Sequence, residues 1–309
     1  MSGNHAHGPN HPSRADQRRV LWLSLGANGA LLVVELVGGL VLGSLALLAD
    51  AAHMASDVMA LSIALVAQRL LDRPASTRHS YGFQRAEVIG ASINAVVLLV
   101  LAGWIVLTAF GRAGGDVDIH GGGVVVVALL GLVVNLGSAV ALKRFAGRSL
   151  NMRGAYLHML LDAVGSVAAL GAGVAIVVAD AVWVDAAVSI GIAVLVAYSA
   201  LRLLAATVHV LLEGTPAGLD PALIAETIRE HPQVEDVHHL HVWSLASDTP
   251  ALSAHVVLEG DITLHEAQGH GDRIREVLRD RFGIDHCTLE LECHTCEPEG
   301  APAEGPAYS

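Results

Sequence analysis

Two pairs of ionisable side chains with the same spacing lie within long apolar stretches of the sequence. His53 precedes Asp57 by four positions, and His158 precedes Asp162 by four. Because residues i and i+4 share one face of a helix, each pair presents an imidazole and a carboxylate to the same side. Two such helices side by side offer two nitrogens and two oxygens, a ligand set that suits a four-coordinate, tetrahedral Zn²⁺ ion. We therefore predict that these four residues form one metal site.

Other polar residues in the same stretches allow more than one interpretation. Asp50 lies seven positions before Asp57 on nearly the same helix face, where it could support a ligand or receive the incoming ion. Glu35 is a packing partner, a proton carrier or a vestibule residue, and the structural role is the one we favour. Three asparagines are expected to hydrogen-bond between helices: Asn28, Asn94 and Asn135.

The elements that carry the two pairs are predicted to be membrane-spanning helices. Of the 309 residues, 53% are apolar and 16% are charged, whereas an ordinary soluble domain carries about 25% charged residues. This composition argues against a wholly soluble enzyme, and it excludes a disordered chain, which needs low hydrophobicity and high net charge. A span needs about 20 mostly apolar residues. Six stretches reach this length: residues 20–43, 45–69, 86–110, 122–145, 154–178 and 184–208.

The charged residues divide the chain into two blocks. Residues 1–212 hold 13 Lys and Arg against 11 Asp and Glu, whereas residues 213–309 hold 5 against 19. The formal net charge of −12 therefore belongs to the second block. The predicted domains are a disordered His-containing tail over 1–16, a six-helix transmembrane domain over 17–212, a cytoplasmic metal-binding α+β domain over 213–296 and a disordered tail over 297–309.

The distribution of Lys and Arg predicts the orientation of the helices, because cytoplasmic loops carry an excess of these residues. Eleven of them stand before the first helix or around two of the connections, whereas the other three connections hold only Arg112. Both termini and the acidic domain are thus predicted to face the cytoplasm. The eleven are Arg14, Arg18, Arg19, Arg69, Arg73, Arg78, Arg85, Lys143, Arg144, Arg148 and Arg153.

The acidic block has the pattern of a small two-layer α+β domain. Residues 220–231 and 264–282 have the periodicity of amphipathic helices. Residues 234–245, 250–260 and 285–293 have that of strands. The order αββαβ is ferredoxin-like. The predicted fold class is therefore a six-helix α-helical transmembrane bundle followed by a cytoplasmic αββαβ domain.

Strand alternation places several histidines and carboxylates on the polar side of this sheet. A second metal site there is the hypothesis, and a solvated histidine-rich surface is the alternative. In the first strand, alternation puts His239 and His241 on one face. The remaining members are His255 in the second strand, and His286, Glu290 and Glu292 in the third.

The end of the domain carries Cys293 and Cys296, a C-x-x-C pair with the spacing of a thiolate chelate. Two thiolates are too few for zinc, which takes four ligands. The missing ligands could come from His5, His7 or His11 in the N-terminal tail, which is predicted to lie on the same side of the membrane. Two incidental thiols are the alternative.

The chain resembles the cation diffusion facilitators, in the branch of bacterial zinc, cadmium and cobalt efflux proteins and vertebrate zinc transporters. The resemblance covers residues 17–296 in the same order. It rests on LLADAAHMASD, YGFQRAEVIGASINA and SLNMRGAYLHMLLDAVGS in the helices, VHVLLEGTP at the domain junction, and HHLHVWSL, ALSAHVV and FGIDHCTLELE in the sheet. One departure is His239, where many relatives have Asp.

This resemblance implies a homodimeric, proton-coupled antiporter whose transport site is His53, Asp57, His158 and Asp162. It implies cytoplasmic metal ligands at His255, His286 and Glu292, with His241 as an auxiliary. It also implies a further inter-subunit zinc site, in which the Cys293–Cys296 pair meets the histidines around His5 and His7 of the neighbouring subunit.

We therefore predict a secondary active transporter, not an enzyme, that exports Zn²⁺ from the cytoplasm in exchange for H⁺ across a lipid bilayer by alternating access. The partners are the bilayer, a second copy of the chain and the transported ions, and no nucleic acid. One alternative is a membrane zinc sensor or receptor without flux. Another is an intramembrane metalloenzyme, although the sequence lacks the H-E-x-x-H motif.

The sequence also bears on which metal is transported, how transport is regulated and in which membrane the protein lies. Cd²⁺ and Co²⁺ tolerate ligands similar to those of Zn²⁺. Zn²⁺ is also expected as a bound regulatory ion, because neutralising the acidic domains would draw them together across the dimer. The 17 Arg against one Lys are typical of a GC-rich genome, which favours a bacterial cell (inner) membrane.

Overall fold

The computed structural model describes residues 14–71, 73–112, 118–146, 150–246 and 249–294. Within these, the chain divides into two compact units. One comprises the described parts of residues 1–62 and 94–201, and the other those of residues 63–93 and 202–309.

Six long helices lead the described chain, and each covers nearly all of one predicted stretch. Five of them, α1 and α3–α6, are long and apolar enough to cross a membrane. Among the described residues, α2 is not one of these five, and it carries Asp50, His53 and Asp57. Six helices are thus confirmed, whereas six membrane spans stay a prediction. The helices are α1 (Arg14–Leu42), α2 (Leu45–Leu71), α3 (Ala86–Arg112), α4 (Gly121–Ala146), α5 (Leu150–Ala179) and α6 (Trp183–Leu211).

The three asparagines hydrogen-bond between helices, as predicted. Asn28 Nδ2 of α1 lies 3.0 Å from Met159 Sδ of α5. Asn94 Nδ2 of α3 donates to Ser56 Oγ of α2 over 3.4 Å. Asn135 Nδ2 of α4 donates to Ser166 Oγ of α5 over 3.2 Å. In lipid such bonds help to hold helices together.

The start of α2 is held by a carboxylate from α6. Gly43 ends α1 with φ +72°, and Ser44 Oγ accepts from Leu47 N, which makes Ser44 the N-cap of α2. Asp185 is 1% exposed, and its carboxylate accepts from Ser44 Oγ (2.6 Å), Leu45 N (2.8 Å) and Ala46 N (3.3 Å). A negative charge at a helix N-terminus is also favoured by the helix dipole. These bonds fix the end of the helix that carries the first His-Asp pair.

The C-terminal elements follow the predicted αββαβ order. They are α7 (Pro221–Arg229), β1 (Val234–Ala246), β2 (Thr249–Leu258), α8 (Leu264–Phe282) and β3 (His286–Glu292). The sheet order is β1-β2-β3, with β1 antiparallel and β3 parallel to β2. Thr263 and Glu266 form a capping box at the start of α8, and Gly283 ends it with φ +68°.

The domain core lies between one face of this sheet and the two helices. Ile224 and Ile228 of α7 and Ile274 and Leu278 of α8 are buried there. They pack with strand residues that include Val237, Leu240, Val242, Leu252, Ala254, Val256, Leu258 and Leu289. The histidines and carboxylates of the strands are left on the other face.

The alternation predicted for β1 is wrong at one point. Val237 and Leu240 are both buried in the core although three positions separate them, so one extra residue lies between them. That residue lies in a bulge, where the register with β2 shifts between His238 and His241 and His239 has φ +47°. His238 and His241 therefore share the polar face.

Candidate metal centres

The predicted helix residues meet crosswise, and we call His53, Asp57, His158 and Asp162 the helix site. His53 Nε2 of α2 lies 3.6 Å from Asp162 Oδ1 of α5. His158 Nε2 of α5 lies 3.1 Å from Asp57 Oδ2 of α2. Each histidine thus faces the aspartate of the other helix. This pairing is what two His-x-x-x-Asp faces produce when the helices run in opposite directions.

The separations within the helix site suit one small cation. Ligand atoms of His53, Asp57 and Asp162 all lie within 4.8 Å of one another. His158 Nε2 is also 3.6 Å from Asp162 Oδ2, which links the fourth residue to the same centre. In a tetrahedral zinc site with bonds of about 2.0–2.1 Å, ligand atoms lie about 3.4 Å apart. The four side chains therefore need only small shifts to enclose an ion.

Burial differs within the helix site in a way that suits a cation. Asp162 has 3% of its side chain exposed, whereas His53, Asp57 and His158 are half-buried. Asp162 Oδ1 has no hydrogen-bond partner among the described residues. A buried carboxylate oxygen without a partner is costly unless a cation or proton satisfies it. Three accessible ligands around a buried one leave a path for the ion.

Two further carboxylates lie buried near the same helices. Asp50 is almost fully buried, and Glu35 is fully buried with neither carboxylate oxygen hydrogen-bonded to a described residue. Gly131 makes room for Glu35, because a Cβ there would lie 2.7 Å from Glu35 Oε1 and 3.1 Å from Ser166 Oγ. Ser166 Oγ in turn bonds the Asp162 carbonyl over 3.1 Å. The predicted structural role of Glu35 is not tested by these contacts.

A second group lies on the polar face of the sheet, and we call His238, His255 and Glu292 the sheet cluster. Their ligand atoms all lie within 4.8 Å of one another. His255 Nδ1 is 2.8 Å from Glu292 Oε1, and His238 Nε2 is 3.4 Å from Glu292 Oε2. Glu290 Oε2 approaches His255 Nε2 at 3.3 Å. Neither ring nitrogen of His238 is hydrogen-bonded to a described residue, so the cluster fits a metal ion as well.

The sheet cluster contains two of the four predicted sheet ligands and one residue that the sequence analysis missed. His255 and Glu292 are present. His241 instead lines a cavity of about 760 Å³ with Tyr81 and Trp243, and the ring of His286 lies 6.4 Å from that of Tyr81. His238 was missed because regular alternation points it into the core. A glycine in β1 would have indicated a bulge in the sequence, but β1 contains none.

The C-x-x-C site extends beyond the described residues, because His5, His7 and Cys296 lie outside them. Cys293 is exposed, and its Sγ lies 3.2 Å from His294 Nδ1. Cys287 points toward the helix-packed side of β3, and burial raises its pKa to about 11. The side chain therefore stays a thiol at neutral pH. Because only the thiolate binds metal well, Cys287 is a poor metal ligand.

Two family models match the chain over these two centres. The cation efflux transmembrane domain matches residues 21–212, which contain the helix site. The cytoplasmic domain of cation efflux proteins matches residues 216–294, which contain the sheet cluster. The chain belongs to the cation efflux family. With its five apolar helices it is an integral membrane protein, and the resemblance found in the sequence is confirmed.

Curated relatives align over nearly the whole length of this cation efflux protein. It is 36% identical to the metal cation efflux system protein CzcD of Cupriavidus metallidurans, over 97% of this chain and 93% of CzcD. It is 37% identical to the zinc transporter ZitB of Escherichia coli, over 96% and 94%. It is 35% identical to a cadmium, cobalt and zinc/H(+)-K(+) antiporter of Bacillus velezensis, over 94% and 90%. These relatives are named as transporters and not as enzymes.

Proposed function

We propose that this protein exports Zn²⁺ from the cytoplasm in exchange for H⁺, with the helix site as the transport site. The observation that carries the proposal is the crosswise approach of two His-Asp pairs between long helices of a cation efflux protein. The two nitrogens and two oxygens suit Zn²⁺. The names of the relatives, which include zinc, cadmium and cobalt, keep Cd²⁺ and Co²⁺ as secondary cargo.

Proton exchange follows from the chemistry of the ligands. Bound imidazole must be neutral and bound carboxylate ionised, so metal binding displaces protons from the helix site. Histidine titrates near physiological pH, so protons arriving from the outer side can expel the metal in turn. If the helices open alternately to each side, an inward proton gradient drives zinc outward. One relative named for exchange of these metals against H⁺ and K⁺ supports this direction.

The test is zinc accumulation in proteoliposomes with an acidic lumen and a zinc-sensing dye inside. We expect protein molecules whose cytoplasmic side faces the bath to carry zinc into the vesicle lumen. A protonophore should return the dye signal to that of protein-free vesicles. Accumulation that survives loss of the pH gradient would rule out proton exchange. No flux at all in a zinc-binding protein would favour the alternative of a membrane zinc sensor.

The proposed arrangement in the membrane has six spans and both termini in the cytoplasm. The excess of Lys and Arg on one side supports this orientation. In this arrangement α2 also crosses the membrane, and its polar face lines the helix site and not lipid. The predicted domain limits of 17–212 and 213–296 belong to the same proposal, as does a bacterial cell membrane location.

We propose further that the protein is a homodimer whose cytoplasmic domains respond to zinc through the sheet cluster. Residues 213–309 carry 19 acidic against 5 basic residues, so two copies repel each other when metal-free. A bound Zn²⁺ at His238, His255 and Glu292 reduces that repulsion. His241 and His286 remain proposed auxiliary ligands, and the pair Cys293 and Cys296 with His5 and His7 remains a proposed inter-subunit site.

Distances between spin labels test this response. In a Cys293→Ser/Cys296→Ser background, a label at the exposed position of Asp280→Cys is expected to report a shorter distance between copies at saturating zinc. The half-buried Cys287 thiol, with its raised pKa, labels slowly. In the same protein carrying His255→Ala, zinc should not shorten the distance between the labels. An unchanged distance in the parent at saturating zinc would contradict the proposal.

A further inference from the structure

A third imidazole stands beside the sheet cluster. The ring centroids of His238 and His255 lie 5.2 Å apart. The ring of His239 is 5.4 Å from that of His238 and 5.1 Å from that of His255. The three ring centroids therefore form a nearly equilateral triangle, and two of the rings, those of His238 and His255, approach the Glu292 carboxylate.

The size of this triangle matches the requirement of one tetrahedral ion. With Zn–N bonds of about 2.0–2.1 Å and a ring centre just over 1 Å beyond each nitrogen, two imidazoles on one zinc have centroids about 5.2 Å apart. All three measured separations lie within a few tenths of an ångström of this value.

The backbone of His239 is what permits this placement. Consecutive side chains of a regular strand point to opposite faces, so His239 would otherwise point away from His238. The φ of +47° at His239 turns the chain within the bulge and keeps both rings on the polar side. A left-handed conformation costs a non-glycine residue about 1–2 kcal/mol, and glycine is the usual occupant of such a bulge. A strained residue beside a cluster of candidate metal ligands points to a function for its side chain.

We propose that His239 is the fourth protein ligand of the sheet cluster. Three nitrogens and the Glu292 carboxylate then complete a tetrahedral set and leave no open position for water. A closed four-ligand site is typical of a structural or regulatory zinc, whereas a catalytic zinc keeps an open position. The inference rests on the proposed zinc response of the sheet cluster. It adds His239 as a residue that strengthens zinc binding there.

The matched variant is His239→Asn, because asparagine also tolerates the left-handed conformation but binds zinc poorly. The full-length protein in detergent is used, with His53→Ala/Asp162→Ala and Cys293→Ser/Cys296→Ser to remove the other proposed sites. Zn²⁺ affinity is measured against a competing chelator, and coordination is read from the visible absorption of bound Co²⁺, which is strong in four-coordinate sites. His239→Gly provides a second variant suited to the same backbone, and His265→Asn on the surface of α8 is the control.

We expect His239→Asn and His239→Gly to weaken zinc binding at least about tenfold and to reduce the Co²⁺ absorption, with His265→Asn unchanged. His255→Ala should abolish binding. If His255→Ala abolishes binding and both His239 variants keep the parent affinity and spectrum, His239 is not a ligand. If His255→Ala leaves binding intact, the sheet cluster itself is not a metal site and the proposed zinc response fails with it.

Discussion

Zinc transport by an Asp162→Asn variant is expected to fall at least about a hundredfold, because losing even a group that merely orients a metal ligand costs about 10–100-fold. Asp162 is the carboxylate that both histidines of the helix site approach, at 3.6 Å each. It is also the most buried of the four residues. The amide keeps the shape but removes the negative charge that offsets a desolvated cation.

The measurement is initial zinc uptake in proteoliposomes, together with the bound zinc of the purified protein by mass spectrometry. Asp118→Asn is the matched control, because Asp118 is exposed and lies outside the six helices. It should transport like the wild type. Wild-type flux from Asp162→Asn, in protein that incorporates normally, would mean that the helix site is not the transport site.

The helix site could be predicted from sequence because its information is local. The four-residue spacing places a histidine and an aspartate on one helix face whatever the rest of the chain does. That His53 would approach Asp162, and Asp57 would approach His158, depends on two helices running in opposite directions side by side. The apolar stretches defined those helices well, since hydropathy is the dominant constraint in a membrane.

The sheet cluster could be predicted only in part because one backbone angle changes it. Period-two alternation correctly placed His255 and Glu292 on the polar face. It placed His238 on the wrong face, because the bulge at His239 adds one residue between Val237 and Leu240. Local sequence does not mark the bulge, since few non-glycine residues adopt positive φ and no glycine stands at this position. Inversions of this kind follow from any single-residue change of register.

The second large effect is expected at the start of α2. Asp185→Ala leaves the Ser44 hydroxyl and the Leu45 and Ala46 amides without their buried acceptor. Each buried polar group left without a partner costs about 1–3 kcal/mol. We therefore expect a destabilisation of about 3 kcal/mol or more, seen as a clear drop in apparent unfolding temperature in detergent. Sequence patterns did not single out Asp185, because its partners lie about 140 positions away.

This end of α2 also bears on the proposed zinc transport. His53 lies eight residues beyond Leu45, about 12 Å along a helix, so a frayed or shifted first turn moves the ligand relative to α5. Asp185→Asn, which keeps one oxygen acceptor, should lose less stability and less zinc affinity than Asp185→Ala. Ser189→Ala is the control, because the Ser189 hydroxyl donates to the backbone carbonyl of Asp185 and not to its carboxylate. If Asp185→Ala unfolds at the same temperature as Ser189→Ala, the carboxylate does not hold α2 in place. The helix site would then depend on packing alone for its alignment.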